Sequence, residues 1–351
     1  MRASLLPSSA LPLASATTLT EAQVASWREQ GFVLVDGVFP EEAVLRPLVE
    51  AALAAFPAPG TPAARAFTDF GGGLTFPSPS APLNDLVLHP RLLAAVAQLL
   101  GVPVWDVRLT QAEVWPKYGR EEGSSGGELD NSDQRMHCDY PNHTLVHPPP
   151  WGAPEAVELI VYLSDEAACG GATAVVPRQG PDDPAYAYPI VHTPGVGALE
   201  WVNDRLSAEA YLARAAPAAA AFRAEHLYPR ERAAAYAVGT TLFYRHDTWH
   251  RGTPVRPGAL RTAANLTFRR SASEWVSTLH AGWAWAMYRA GLPTERLIAG
   301  LSVQQRAVLG FPRPGSPYWT PETVLAVAAR YTCFGLDITP YAAALAEAPS
   351  T

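Results

Sequence analysis

Apolar positions change rhythm twice along this chain. After a Ser/Ala/Pro/Thr-rich opening through residue 18, read as a disordered tail, Thr20 and Gln23 stand at capping-box spacing. They predict a short helix through Arg28 that Gly31 ends. Phe32-Val33-Leu34-Val35 then reads as a strand, because β-branched and aromatic residues favour a pleated surface. Pro40-Glu41-Glu42 opens a second helix toward Phe56. The Pro/Gly/Ser-rich stretch 57–82 reads as loop, and a further helix runs from Asn84 through Leu100 to a stop at Gly101.

From Val102 short apolar runs alternate with turn residues, which is the pattern of a β core rather than of βαβ units. Strands are predicted at Val102 to Trp115, Ala156 to Leu163, Ala172 to Val176, Ala237 to Tyr244 and Leu260 to Arg269. The polar stretch Gly119 to Asp133 reads as a surface loop, and the Ala-rich residues 207–227 as an inserted helix. After Ser271 the rhythm turns helical again: Trp275, Leu279, Trp283 and Met287 form a stripe suited to packing on a sheet. The fold class expected is mainly β with packed helices (α+β). No internal repeat is visible.

Composition narrows the partners. The 351 residues are 48% hydrophobic and 17% charged, ordinary globular values, with 34 prolines and 26 glycines that favour many turns. The formal charge is −7, with no run of Lys/Arg, so the footprint that phosphate backbones require is missing and nucleic acid is not an expected partner. Lys117 is the sole lysine; every other base is arginine. No stretch reaches the roughly 18 apolar residues of a membrane span. Cys138, Cys169 and Cys333 are odd in number and lack C-x-x-C spacing, which suits a reducing compartment. The start is similar to a signal peptide but is interrupted by Pro7, Ser8, Ser9 and Pro12, so the cytoplasm is the expected location.

The most informative segment is Gln134-Arg135-Met136-His137-Cys138-Asp139-Tyr140. In an extended segment residues i and i+2 share a face, so His137 and Asp139 can offer an imidazole nitrogen and a carboxylate oxygen to one metal. Further on, an apolar run delivers His250 just before a Gly/Pro turn, and the next strand begins near Arg261. Two histidines and one carboxylate on one face of iron leave three positions open, the arrangement of non-haem Fe(II) oxygenases. Two of these suit a chelating 2-oxo acid and one suits dioxygen. A nearby arginine can anchor the far carboxylate of such a co-substrate in bidentate fashion.

On these residues the chain resembles the phytanoyl-CoA dioxygenase family of Fe(II)/2-oxoglutarate oxygenases. The resemblance spans about residues 22–270: Trp27-Arg28-Glu29-Gln30-Gly31-Phe32-Val33, the His137/Asp139 pair, Cys169-Gly170-Gly171-Ala172-Thr173 with Pro177, and Trp249-His250 with Arg261. It implies a double-stranded β-helix, a cupin-like jelly roll, with residues 19–346 forming one oxygenase domain. It also implies His137, Asp139 and His250 as iron ligands and Arg261 as the 2-oxoglutarate anchor. Gln111 and Lys117 look like a pair from the ectoine hydroxylase branch, whose lysine also contacts 2-oxoglutarate. Where the family often has a small hydroxyl residue two positions after the distal histidine, this chain has Gly252, with Thr253 next as a candidate replacement. Asn265 shares a face with Arg261 and joins the candidates. Asp139, in place of Ala or Gly, closes the position a halide takes in related halogenases. Hydroxylation of a small organic substrate, with release of succinate and CO2, is therefore the expected outcome, although desaturation or epoxidation would use the same ligands.

Plainer readings stand beside these. His246 is taken as an ordinary strand-end residue because Arg261 has the family spacing from His250. His143 and His147 are expected on a surface loop, Cys138 as a packed neutral thiol, and Glu121 and Glu122 as a solvated pair. Trp115, Tyr140, Trp151 and Tyr162 are expected mainly as packing. The competing function is a non-catalytic jelly-roll protein holding metal or ligand. Arg261 argues against it, since a structural metal needs no dicarboxylate anchor. A zinc hydrolase is disfavoured by the lack of an H-E-x-x-H pattern. Nothing in the sequence fixes the oligomeric state.

Overall fold

The computed structural model describes residues 19–65, 67, 74–78, 81–120, 131–143, 148–196, 199–273 and 293–346. The predicted tail, most of the 119–133 loop, Glu121, Glu122, His147 and the stripe from Trp275 to Met287 lie outside the described residues. Nine strands are described: β1 (Phe32–Val35), β2 (Leu74–Thr75), β3 (Val107–Tyr118), β4 (Ala156–Tyr162), β5 (Thr173–Val175), β6 (Arg232–Ala233), β7 (Thr241–Tyr244), β8 (His250–Gly252) and β9 (Leu260–Arg270). They form a six-stranded sheet in the order β1-β7-β4-β9-β3-β2 and a three-stranded sheet β6-β5-β8, with antiparallel pairing throughout. Among the described residues no helix is long and apolar enough to cross a membrane.

The large sheet has two chemically distinct faces, as strand alternation requires. One carries Val157, Leu159 and Val161 of β4 opposite Phe268, Leu266 and Ala264 of β9, with Phe243 of β7 beside them. These pack with Leu92, Leu93, Val96, Leu99 and Leu100 in the main core. The other face sets Lys117 opposite Arg261, Glu113 opposite Asn265, Ile160 opposite Asn265, and Glu158 opposite both Thr267 and Tyr244. One face therefore holds the fold together while the other presents polar chemistry.

The first helix, Glu21–Gln30, has the capping box on Thr20 and Gln23 that the sequence predicts. Gly31 closes it at φ 96, and a Cβ there would come within 2.6 Å of Thr248 Oγ1 and 2.9 Å of Trp151. Glycine is required twice over: for the left-handed cap, and for close approach to the segment that carries His250. The helix predicted over Asn84 to Leu100 is two helices, Ala81–Val87 and Pro90–Leu100. Pro90 supplies no N–H and holds His89 extended, and His89 Nδ1 accepts from Arg91 N at 3.3 Å to cap the second helix. Pro217 divides the 207–227 insert in the same way, into Arg205–Ala215 and Pro217–His226. Within the predicted 57–82 loop lie a one-turn helix, Pro62–Arg65, and β2.

Burial of His89, with Arg91 adding to it, pulls its imidazole from 6.5 down to about 4. The folded state thus favours the neutral ring. Between pH 6.5 and 4 the unfolded chain binds a proton that the folded chain refuses, so stability present above pH 6.5 is lost as the pH falls toward 4. A loss on the order of 3 kcal/mol is expected from this group. His89→Asn, which keeps a capping acceptor, should flatten that part of the pH dependence of the urea midpoint. An unchanged slope would assign it elsewhere.

Candidate metal centre and cavity

His137 and His250 form an antiparallel bridge: His137 N donates to His250 O at 2.9 Å and His250 N to His137 O at 2.8 Å. Their rings consequently lie side by side, with centroids 4.4 Å apart. Asp139 is fixed through its own N–H, which donates to His246 O at 3.0 Å. Ligand atoms from His137, Asp139 and His250 all lie within 4.8 Å of one another. The closest approaches are His250 Nε2 to Asp139 Oδ2 at 3.3 Å and His137 Nε2 to Asp139 Oδ1 at 3.5 Å.

Both rings are oriented from behind. His137 Nδ1 meets Arg135 O at 2.9 Å and His250 Nδ1 meets Thr248 O at 3.0 Å. Each Nδ1 thereby carries its hydrogen toward a carbonyl, leaving Nε2 as the lone-pair donor beside Asp139, the orientation seen in ligating histidines. The donor set, two imidazoles and a carboxylate, fits Fe(II) with positions left open. Burial opposes a charge on either ring. At His250, Asp139 outweighs burial and raises the pKa; at His137, neighbouring His250 and Arg135 add to burial and hold it well below its ordinary value. Asp139 itself stays ionised despite burial, because His250 and His137 hold it low. A metal binding here competes with a proton for Nε2 of His250, so its affinity falls as the pH falls.

The ligands open into a cavity of about 180 Å³ that is also lined by Gln111, Lys117, Arg261 and Asn265. Lys117 Nζ donates to Thr253 O at 2.9 Å and Arg261 Nη1 to Gly171 O at 2.5 Å, while Arg261 Nε is buried with no partner. Gln111 lines the cavity but is tied to the sheet, donating to Glu113 at 2.9 Å and accepting from Thr267 at 3.0 Å. Thr253 is not brought into the lining; its hydroxyl donates to Ala172 O at 2.8 Å. At Gly252, two positions after His250, a Cβ would meet Gln134 Oε1 at 2.6 Å and Lys117 Nζ at 3.0 Å, so a side chain there would displace the ends of both.

His143, expected on a surface loop, is instead buried at the end of a one-turn helix, Tyr140–His143, and lines the cavity. His246 is more than a strand end: it is buried, and its carbonyl accepts from both Asp139 N and Tyr140 N. Cys138 packs away from the ligands, its thiol raised by burial. Of the four aromatic residues considered, Trp115 lines the cavity, whereas Tyr162 stacks on Tyr236 and Trp151 packs on Arg245 and Tyr186.

Sequence reading missed Tyr244, whose phenol donates to Asp139 Oδ2 at 2.9 Å. It also missed Arg135, although the i, i+2 alternation that links His137 to Asp139 extends back to it. Tyr244→Phe removes the donor that orients the carboxylate and is expected to weaken metal affinity about 10- to 100-fold. Competitive Mn(II) titration measures this; an unchanged affinity would make the bond incidental.

An antiparallel two-sheet scaffold with a buried two-histidine, one-carboxylate centre thus defines the molecule structurally. Among solved structures the chain is similar to EvdO2 from Micromonospora carbonacea var. aurantiaca complexed with 2-oxoglutarate (15% identity, covering 74% of this chain and 94% of that one, TM-score 0.48). It is similar to HygX from Streptomyces hygroscopicus with iron bound (17%, 74% and 90%, 0.44). A third is the epimerase SnoN in complex with Fe3+, alpha ketoglutarate and nogalamycin RO (18%, 71% and 83%, 0.45). No family profile and no curated protein sequence matches the chain.

Proposed function

We propose that the chain is a non-haem Fe(II)/2-oxoglutarate-dependent dioxygenase that hydroxylates an unactivated C–H of a small organic substrate. Residues 19–346 are read as one domain, with the two sheets as a double-stranded β-helix. The observation that carries this is one cavity holding two features: the His137/Asp139/His250 centre, and the cations Lys117 and Arg261 directly opposite each other across β3 and β9. Like charges in that register destabilise a sheet. A carboxylate bound between them removes the penalty, and the unpartnered Arg261 Nε is a donor for it.

His137, Asp139 and His250 would hold Fe(II). When bound, the metal supplies the dioxygen chemistry that oxidises 2-oxoglutarate to succinate and CO2 as the substrate gains a hydroxyl. The chain's own part is positioning. Arg261 and Lys117 bind the distal carboxylate, the backbone carbonyls of Arg135 and Thr248 hold the imidazoles, and Tyr244 orients Asp139. The test is succinate formation with Fe(II) and 2-oxoglutarate, paired with thermal unfolding. 2-Oxoglutarate should raise Tm only when a divalent metal is present. A rise independent of metal, with no succinate, would favour a ligand-binding protein.

A further inference from the structure

Lys117 and Arg261 occupy one wall of the cavity. A third cation, Arg135, lines it from the segment that carries His137. Its side chain is 5% exposed, so its charge is taken out of water, which is costly unless it is paired. The pairing within the chain is incomplete. Nη1 donates to Asn203 Oδ1 at 2.6 Å, and Nε is buried with no partner. No carboxylate bonds to it among the described residues; Asp139 faces the two imidazoles instead.

The surroundings are built rather than incidental. Arg135 N donates to Asn203 O at 2.8 Å, and Asn203, fully buried, donates through Nδ2 to Asn131 Oδ1 at 3.4 Å. Asp133, two residues earlier, is clamped by Arg205 and Arg251. The guanidinium therefore sits on a braced segment. Over it lies the Trp201 ring, 5.3 Å from guanidinium carbon to ring centroid, in a residue that is 45% exposed yet also lines the cavity. Trp201 packs against Gly195, where a Cβ would meet the ring at 3.1 Å. A large aromatic surface is thus fixed in place and left open beside a buried, underpaired cation.

We infer that Arg135, with Trp201 above it, is the recognition site for the primary substrate, which carries a carboxylate adjoining a planar ring. The inference rests on the oxygenase reading, since that reading assigns Lys117 and Arg261 to the co-substrate and leaves Arg135 for a second acidic group. The carboxylate meets the guanidinium, and the ring lies on the exposed indole. Both features belong to cavity walls that converge on the His137/Asp139/His250 centre, so a bond near the ring is presented to the reacting end.

The test uses the full chain loaded with Mn(II) and 2-oxoglutarate, with phenylacetate as probe and neutral 2-phenylacetamide as its isostere, both titrated by calorimetry. Phenylacetate should bind at least about tenfold more tightly than the amide, the discrimination expected of one charge-assisted contact. Arg135→Met should erase that ratio while leaving 2-oxoglutarate affinity within about twofold, and Arg135→Lys should restore part of it. Trp201→Ala, a change at an exposed position, should weaken both probes and keep their ratio; it tests the ring contact even if Arg135→Met does not fold. Equal binding of acid and amide to the unmodified chain overturns the inference, as does a ratio that survives Arg135→Met. Loss of 2-oxoglutarate binding in Arg135→Met also overturns it, by moving Arg135 to the co-substrate site. If the unmodified chain binds no 2-oxoglutarate, the oxygenase reading fails instead, and the acid-to-amide ratio measured without metal still reports on Arg135.

Discussion

Succinate formation should fall below detection in His250→Ala, and metal content should fall with it. His250 contributes one of the three ligand side chains, its ring is buried, and its backbone forms the bridge that sets it beside His137. Losing an outer partner of a metal ligand costs about 10- to 100-fold in affinity, and loss of the ligand itself should exceed that. Arg261→Ala provides the contrast. It should retain metal while the KM for 2-oxoglutarate rises about tenfold or more, as removal of a charged hydrogen-bonding partner implies. Metal analysis and 2-oxoglutarate titration of the two variants separate ligand from anchor. Full metal occupancy and turnover in His250→Ala would sink the proposed centre.

Glu209→Ala should destabilise the fold by about 3–5 kcal/mol, the cost of stranding a buried charge. Arg223 is completely buried; its Nε and Nη2 donate to Glu209 at 2.7–3.2 Å, and its remaining bonds go to His192 O at 3.0 Å, Met136 O at 2.9 Å and Tyr228 OH at 3.2 Å. Burial works to lower the Arg223 pKa, but Tyr228 and Glu209 outweigh it and raise it, so the guanidinium remains charged. Tyr228 OH donates to the same carboxylate at 2.6 Å. Because Arg223 bonds the carbonyl preceding His137, the helical insert braces the ligand segment, and metal affinity should fall together with the urea midpoint. The double variant Glu209→Leu/Arg223→Met should recover much of the stability, since paired apolar residues leave no orphan charge. A loss below about 1 kcal/mol for Glu209→Ala would mean that water or another group replaces the carboxylate.

Local punctuation was legible residue by residue. Thr20 with Gln23, Gly31, Pro90 and Pro217 act through their own backbone chemistry, so capping and breaking follow from sequence; the two helix divisions were overlooked although both prolines stand in plain view. Strand alternation likewise placed His137 with Asp139. Its extension to Arg135 required knowing that the surrounding segment is extended and faces the cavity. His143 could not be placed by composition. A histidine in a Pro-rich stretch reads as exposed until a fold covers it. Thr253 illustrates the reverse, since a hydroxyl near the distal histidine has the right chemistry, yet the β5–β8 sheet directs it to Ala172 O.

What the sequence determined by itself is the local elements and the donor chemistry available: two histidines and an aspartate with metal-ligand chemistry, a single lysine and an arginine suited to an acid. Only the tertiary structure decided which of these meet. The His137–His250 bridge, the Lys117–Arg261 register and the Tyr244 bond to Asp139 all join segments far apart in the chain. A side chain's period tells which face it occupies, whereas long-range strand pairing decides what that face confronts.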